Sequence, residues 1–228
     1  MVAPALRLVV FGGFGRMGRE VVALAEADAE ITLCGIADQK TSLETLKSYK
    51  PNVVIEFSSV EGVKKISQWC AQNKVALVSG TTGLDKPNEE SLKTYAKKAP
   101  VFRSANMSIG INALAKVIRE FAKNFPNSDV QVEEIHHKHK KDNPSGTALF
   151  LEKQLKDIPS IKLSSSVGLR GGEIFGIHKV YFFAKSEWLC FEHHAQNRTV
   201  FAEGAIRAAK WLQNKKPGVY SMLDILNE

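Results

Sequence analysis

Leu6-Arg7-Leu8-Val9-Val10-Phe11-Gly12-Gly13-Phe14-Gly15-Arg16-Met17-Gly18 is the stretch on which the fold turns. Leu6 to Phe11 is a short, nearly continuous apolar run, which marks a strand buried on both faces. It passes straight into glycines, and Met17, Val21, Leu24 and Ala25 then recur on one face of a helix. Strand, glycine loop and helix in that order suit the pyrophosphate of a dinucleotide: glycines admit a close backbone approach, and the helix N-terminus supplies N–H donors. The spacing is G-x-x-G-x-x-G through Gly12, Gly15 and Gly18. Any tight strand-to-helix turn also favours glycine, so the flanking chain has to support the reading.

It does so on the C-terminal side. Ile31 to Ala37 is a second strand ending at Asp38, about 20 residues beyond the loop, where a carboxylate accepts from the adenosine ribose hydroxyls. Asp38 favours NAD, whereas Lys40 with Arg16 offers cations for the extra phosphate of NADP. Val53 to Phe57, Val75 to Ser79 and Val101 to Arg103 read as further strands, separated by helices over Glu61 to Gln72 and Asn88 to Lys97. The fourth strand ends in Gly80-Thr81-Thr82-Gly83 and the fifth feeds Ser104-Ala105-Asn106-Met107-Ser108. Strands alternating with helices at this spacing predict a Rossmann-like, doubly wound parallel sheet, an α/β fold.

Past Ser108 the pattern changes. A long helix, Ile109 to Phe125, leads to a strand from Val130 and then to Glu133-Glu134-Ile135-His136-His137-Lys138-His139-Lys140-Lys141-Asp142-Asn143-Pro144-Ser145-Gly146-Thr147-Ala148. Three imidazoles and three nearby ammonium groups precede a Ser-Gly-Thr helix start, so proton donors stand beside groups that attract a carboxylate or phosphate. A solvated basic loop with an ordinary helix cap is the plain alternative. Ser164 to Gly176 is polar and glycine-rich, and His178 to Phe183 with Trp188 to Glu192 forms an antiparallel hairpin. Thr199 to Leu212 is a last helix, stopped by Pro217-Gly218, and the apolar tail Tyr220 to Leu226 is expected to dock on the first domain. The expected division is residues 1–108 with 199–228 as a dinucleotide-binding domain, and 109–198 as an α+β substrate and oligomerisation domain with a mixed open sheet.

The composition, 44% hydrophobic and 24% charged over 228 residues, is that of a soluble globular protein. No apolar run approaches the roughly 20 residues that span a bilayer, and no export signal opens the chain, so a cytoplasmic location is expected. Cys34, Cys70 and Cys190 lie far apart in apolar surroundings without metal-ligand spacing; they read as buried thiols, with no metal expected. The formal net charge of +7 is spread along the chain, which suits polyanionic small molecules as well as nucleic acid.

Taken in order, Gly12 to Gly18, Gly80 to Gly83, Ala105 to Ser108, His136-His137-x-x-Lys140-x-Asp142-x-Pro144-Ser145-Gly146-Thr147-Ala148, Arg170-x-Gly172-x-x-x-Gly176-x-His178, and His193 to Arg198 resemble the 4-hydroxy-tetrahydrodipicolinate (dihydrodipicolinate) reductases over essentially the whole chain. The resemblance implies NADH- or NADPH-dependent reduction of a cyclic dicarboxylate to tetrahydrodipicolinate in diaminopimelate and lysine biosynthesis. By it, His136 and Lys140 match the catalytic acid/base and proton donor, and His137, Ser145, Gly146 and Thr147 the substrate contacts. Gly12, Gly13, Phe14, Gly15, Arg16 and Met17 match the pyrophosphate loop and Asp38 the ribose acid. Gly80, Thr81, Thr82, Ser104, Ala105, Asn106 and Met107 match the loops flanking the nicotinamide. It further implies a homotetramer built through the second domain's sheet, without nucleic-acid or membrane partners.

The chain departs from the family pattern at Gln39, where NADP-preferring members often carry Arg, at Asn143 in place of Ala, and at Ile177 in place of Glu. The segment between Asp38 and Pro51 is also short. Two other readings compete. A different dehydrogenase would use Cys70 or Cys190 as nucleophile, though neither has the Gly/His context that activates a thiol. A nucleic-acid module would use Lys138 to Lys141, and salt-sensitive DNA binding would favour it.

Overall fold

The computed structural model describes residues 5–228, and the first four residues of the expected nucleotide domain lie outside it. Strands and helices alternate from the start: β1 (Leu6–Phe11), α1 (Arg16–Ala27), β2 (Ile31–Ala37), α2 (Leu43–Ser48), β3 (Val53–Glu56), α3 (Val60–Asn73), β4 (Ala76–Ser79), α4 (Lys86–Tyr95) and β5 (Pro100–Arg103). There follow α5 (Ile109–Asn124), β6 (Asp129–His136), α6 (Gly146–Leu155), β7 (Lys162–Leu163), β8 (Val167–Arg170), β9 (Gly176–Phe183) and β10 (Trp188–Ala195). The chain closes with α7 (Thr199–Leu212), β11 (Gly218–Tyr220) and α8 (Met222–Leu226). It divides into two compact units, residues 5–108 with Arg198–Glu228, and Ile109–Asn197.

The first unit holds a six-stranded, all-parallel sheet in the order β11-β5-β4-β3-β1-β2. Every residue of β3 and β4 is buried, as expected for central strands covered on both faces. Three of the helices begin on a side-chain cap: Ser42 for α2, Ser59 for α3 and Asp85 for α4. Helix α7 packs on α1 and across β3, β4 and β5. Its buried residues are mostly small, Ala202, Gly204, Ala205, Ala208 and Ala209, with Ile206 and Leu212, and such small side chains let the helix axis come close. Phe201 on the same helix is only half-buried.

The second unit is a five-stranded mixed sheet, β10-β9-β6-β7 with β8 also on β6. Strands β9 and β10 run antiparallel to their neighbours, while β7 and β8 run parallel to β6. Period-two alternation on β6 sends Val130, Val132, Glu134 and His136 inward, and β9 answers with Phe182, Val180, His178 and Gly176. The register pairs Val130 with Phe182, Val132 with Val180 and Glu134 with His178. The first two pairs join Ile111, Leu114, Ile118, Leu151 and Leu155 in the core under α5 and α6. The third lies at the polar end of the same column.

Three strands escaped the reading of the sequence. β7 is only two residues long, and β8 lies in the polar, glycine-rich stretch, where exposure on alternate positions leaves little apolar signal. β11 is three residues long and is defined by its partner β5. The last helix ends at Leu212, before Pro217, and the intervening residues carry the chain into β11. Of the three thiols only Cys70 is buried; Cys34 and Cys190 are half-buried, so the expectation of three buried thiols is corrected.

Candidate active site

Because the strands of the first sheet point the same way, the loops after β1, β2, β4 and β5 gather at its carboxyl edge. Gly12 sits at φ +84°, and a Cβ there would lie 2.2 Å from the Phe57 carbonyl oxygen. A Cβ on Gly18 would lie 2.1 Å from the Gly12 carbonyl oxygen, so this glycine seats α1 against the loop. Gly13 fits equally closely beneath Ile36. Gly15 is the N-cap of α1 and brings no side chain to it, and no acidic residue stands in the first turn. The first N–H groups of the helix therefore remain for an anion, flanked by exposed Phe14 and Arg16 and half-buried Met17. That donor set fits a dinucleotide pyrophosphate.

Asp38 makes a local turn in which Oδ1 accepts from the Lys40 N–H at 2.8 Å and the Thr41 N–H at 3.2 Å. Its Oδ2 faces no such demand and suits a ribose hydroxyl. Lys65 of α3 ties this turn down, donating to the carbonyls of Gln39 and Thr41 at 2.7 and 2.8 Å. The Gln39 amide is turned onto Ser59 Oγ.

Beneath the loops lies Glu56, fully buried. Its Oε1 accepts from the Ser58 N–H (2.6 Å), Ser58 Oγ (2.7 Å) and Thr81 Oγ1 (2.5 Å), and Oε2 accepts from Ser79 Oγ (2.9 Å). Thr81 thus turns its hydroxyl into the protein, whereas Thr82 is exposed and Gly80 packs on the Phe57 ring. In the next loop Ser104 Oγ donates to the Asn106 carbonyl (2.6 Å), Asn106 Oδ1 accepts from the Ser108 N–H (3.0 Å), Ala105 is exposed and Met107 is buried.

The second cluster forms where the inward column of β6 and β9 turns polar. Glu134, fully buried, receives His136 Nδ1 on Oε2, and on Oε1 the Ser145 N–H (3.0 Å) and Arg170 Nη2 (2.7 Å). His178 lies edge-on to His136, ring centroids 5.1 Å apart, with Nε2 3.3 Å from Ser145 Oγ. Burial lowers the His178 pKa to about 3, helped by the neighbouring His136, His193 and Lys140. Burial also lowers His136, against the pull of the Glu134 carboxylate, so His136 is neutral at pH 7 in the free protein. Ser145 caps α6, accepting from the Ala148 N–H at 3.1 Å, so its hydroxyl and amide are both engaged within the protein.

Lys140 Nζ pairs with Asp142 Oδ2 at 2.9 Å. Burial works to raise the Asp142 pKa, but Lys140 and backbone N–H groups, that of Gly146 among them, outweigh it and hold the carboxyl low. A carboxylate of the chain itself therefore sits between the ammonium and the start of α6, where an incoming carboxylate would find its donors. Gly146 is exposed with open space around it, Thr147 is half-buried, and His137 is half-buried with its ring 6.2 Å from His139. Asn143 packs over Gly168, where a Cβ would lie 2.0 Å from Asn143 Oδ1.

Glu134, His136 and His178 present three potential metal-ligand atoms within 4.8 Å of one another. Spacing along the sequence conceals this trio, because cross-strand pairing assembles it. Arg170 on Glu134 and Lys140 beside His136 add positive charge that opposes a divalent ion. Residues to which the sequence reading gave no role, Glu56, Lys65, Glu134, Asp142, Arg170 and His178, thus organise both clusters. For Glu134 the signal was present as an acid on the inward phase of an otherwise apolar alternation. Burial pushes all three thiols up, which removes them as ready nucleophiles. No helix among the described residues is long and apolar enough to cross a membrane.

Residues 6–107 match the family model described as dihydrodipicolinate reductase, N-terminus, and residues 110–226 the one described as dihydrodipicolinate reductase, C-terminus. The chain is 40% identical over 221 residues to the 4-hydroxy-tetrahydrodipicolinate reductase of Bdellovibrio bacteriovorus, covering 97% of this chain and 96% of that one. It is 35% identical over 248 residues to the enzyme of that name from Caldanaerobacter subterraneus, covering 98% and 99%. The fold is similar to that of a dipicolinate-bound dihydrodipicolinate reductase from Paenisporosarcina sp. TG-14, with TM-score 0.84, 21% identity and coverage of 96% and 98%.

Proposed function

The chain belongs to the dihydrodipicolinate reductase family, and from that premise we propose that it reduces 4-hydroxy-tetrahydrodipicolinate to tetrahydrodipicolinate, with release of water, in the diaminopimelate and lysine route. NADH or NADPH is the reductant: when bound, its nicotinamide supplies the hydride, which no side chain can. Gly12, Gly13, Gly15 and the start of α1 would hold the pyrophosphate and Asp38 the ribose. Phe14, Arg16 and Met17 border it. Gly80 to Thr82 and Ser104 to Met107 line the sheet edge beyond, with Thr81 and Met107 acting as inward anchors of their loops.

The observation that carries the reading is the pairing of Lys140 and His136 with the start of α6 in one cluster. A dicarboxylate needs fixed donors, and Lys140, His137 and the N–H groups of Gly146 and Thr147 provide them once Asp142 yields its place. Ser145 holds the helix start in position from within. Hydride arrival leaves negative charge on the substrate's ring system, and Lys140 and His136 are the two proton sources within the cluster that can neutralise it. The incoming dianion favours protonation of His136, against the effect of burial.

Mixing the protein with NADH or NADPH and the product of dihydrodipicolinate synthase should oxidise the nucleotide. His136→Gln and Lys140→Ala should each lower kcat by roughly 10²–10⁴-fold and leave NADH affinity nearly intact. Wild-type rates in either variant contradict the assignment. For assembly, the open face of the second sheet collects Val167, Leu169, Ile135, Ile177, Tyr181, Phe183 and Trp188, an apolar surface suited to self-association into the family's tetramer. A cytoplasmic setting accords with a soluble biosynthetic enzyme.

A further inference from the structure

We propose that Glu134 is the positioning residue for His136: by accepting the Nδ1 proton it fixes one tautomer of the ring and leaves Nε2 as the nitrogen that exchanges a proton with substrate. The inference rests on the proposed reductase reading for its kinetic part, but its structural part stands on the hydrogen bonds alone.

The geometry carries it in three steps. Glu134 is fully buried at an inward position of β6, where only a fully paired carboxylate is tolerable. It is paired: His136 Nδ1 lies on Oε2, and the Ser145 N–H and Arg170 Nη2 lie on Oε1. A carboxylate is acceptor-only, so the hydrogen between it and Nδ1 belongs to the imidazole, and in the neutral ring Nε2 then carries a lone pair. At the other edge of the ring stands Gly176, where a Cβ would come 3.1 Å from His136 Nε2. The glycine leaves that edge of the ring free of a side chain, and Nε2 has no hydrogen-bond partner among the described residues.

The same carboxylate fixes the start of α6 through Ser145 and the end of β8 through Arg170, so the acid/base and the helix terminus share one anchor. The alternative, that Glu134 only neutralises Arg170, leaves the Nδ1 contact without a purpose. Groups that act on the His136 charge are Glu134 on its own strand, Arg170 on β8, His178 on β9 and Lys140 in the loop that follows. Of these, Glu134 alone favours the imidazolium, so removing its charge makes His136 a weaker base.

Two measurements test this. In the wild-type protein at neutral pH, two-bond ¹H–¹⁵N correlation spectra should show His136 as the Nδ1–H tautomer with a strongly deshielded Nδ1 proton; an Nε2–H tautomer overturns the proposal, whatever the protein's activity. In Glu134→Gln, kcat should fall by roughly 10²-fold with little change in KM for NADH, and the pH at which activity declines through loss of the imidazolium should move lower. A pH profile that keeps its shape and position and only drops in height means a structural role and overturns it as well. Failure of the wild-type protein to oxidise NAD(P)H would instead remove the reductase reading and leave the tautomer result intact.

Discussion

His178 keeps Nδ1 buried without a hydrogen-bond partner, and burial holds its pKa down at about 3. An unfolded histidine titrates near its ordinary value of 6.5, so below that pH the unfolded chain binds a proton that the folded chain refuses. Stability is therefore present above pH 6.5 and lost as pH falls from there toward 3. Between pH 7 and pH 5 the loss from this one residue is about 2 kcal/mol. Urea titrations at the two pH values should show His178→Asn losing less stability on acidification than wild type by about that amount; equal losses would remove His178 as the cause. Asp142 acts on charge at the surface. If it holds the seat of an incoming carboxylate beside Lys140, Asp142→Asn should lower the substrate KM by roughly two- to fivefold, the equivalent of one exposed ion pair. A higher KM would mean that Asp142 instead holds Lys140 in place for the substrate.

At the scale of elements, α7 is held against the loop after β5 by a glycine contact. A Cβ on Gly204 would lie 1.7 Å from the Met107 carbonyl oxygen, so helix and loop can approach only because position 204 has no side chain. Gly204→Ala should destabilise the protein by about 3 kcal/mol through overpacking and weaken nucleotide binding, since Met107 ends the loop after β5. Thermal melts and nucleotide titrations check this, and an unchanged melting temperature counts against so close a contact. Glu56 does related work from below, drawing Ser58, Ser79 and Thr81 onto one carboxylate so that the loops after β3 and β4 are fixed to each other. In the second unit, β6 and β9 form a single continuous column that begins as core and ends as chemistry. Continuity with a packed core is what makes the polar end rigid.

For the whole molecule, the open face of the second sheet is the feature that asks for a partner. Trp188 is 63% exposed, Val167 and Leu169 49% and Phe183 42%, with Tyr181 stacked on Phe183 at 5.6 Å. Lys179, Glu192 and His194 pair with one another across the same face, which lowers the cost of covering it. Sedimentation should find the wild-type protein as a tetramer and Trp188→Glu as smaller species; a wild-type monomer at micromolar concentration would contradict assembly through this face.

The residues from Leu6 to Gly18 and the run of strands after them were enough to establish a parallel α/β sheet, because apolar periodicity and glycine spacing are local properties that the backbone reads directly. The histidine-rich motif from His136 to Thr147 was legible for the same reason: its chemistry lies within twelve consecutive positions. What depended on distant partners was not legible. β11 exists as a strand through β5, β8 through β6, and the Glu134–His136–Arg170–His178 network through strands brought side by side by register. Nor did the sequence disclose that Thr81 and Ser145 turn inward, since a hydroxyl has the same letter whether it faces a ligand or, as here, a buried carboxylate for Thr81 and the helix's own N–H beside a buried imidazole for Ser145. Local pattern determined the elements and the chemical inventory; tertiary packing decided which of those groups lost water, and with it which proton each one holds.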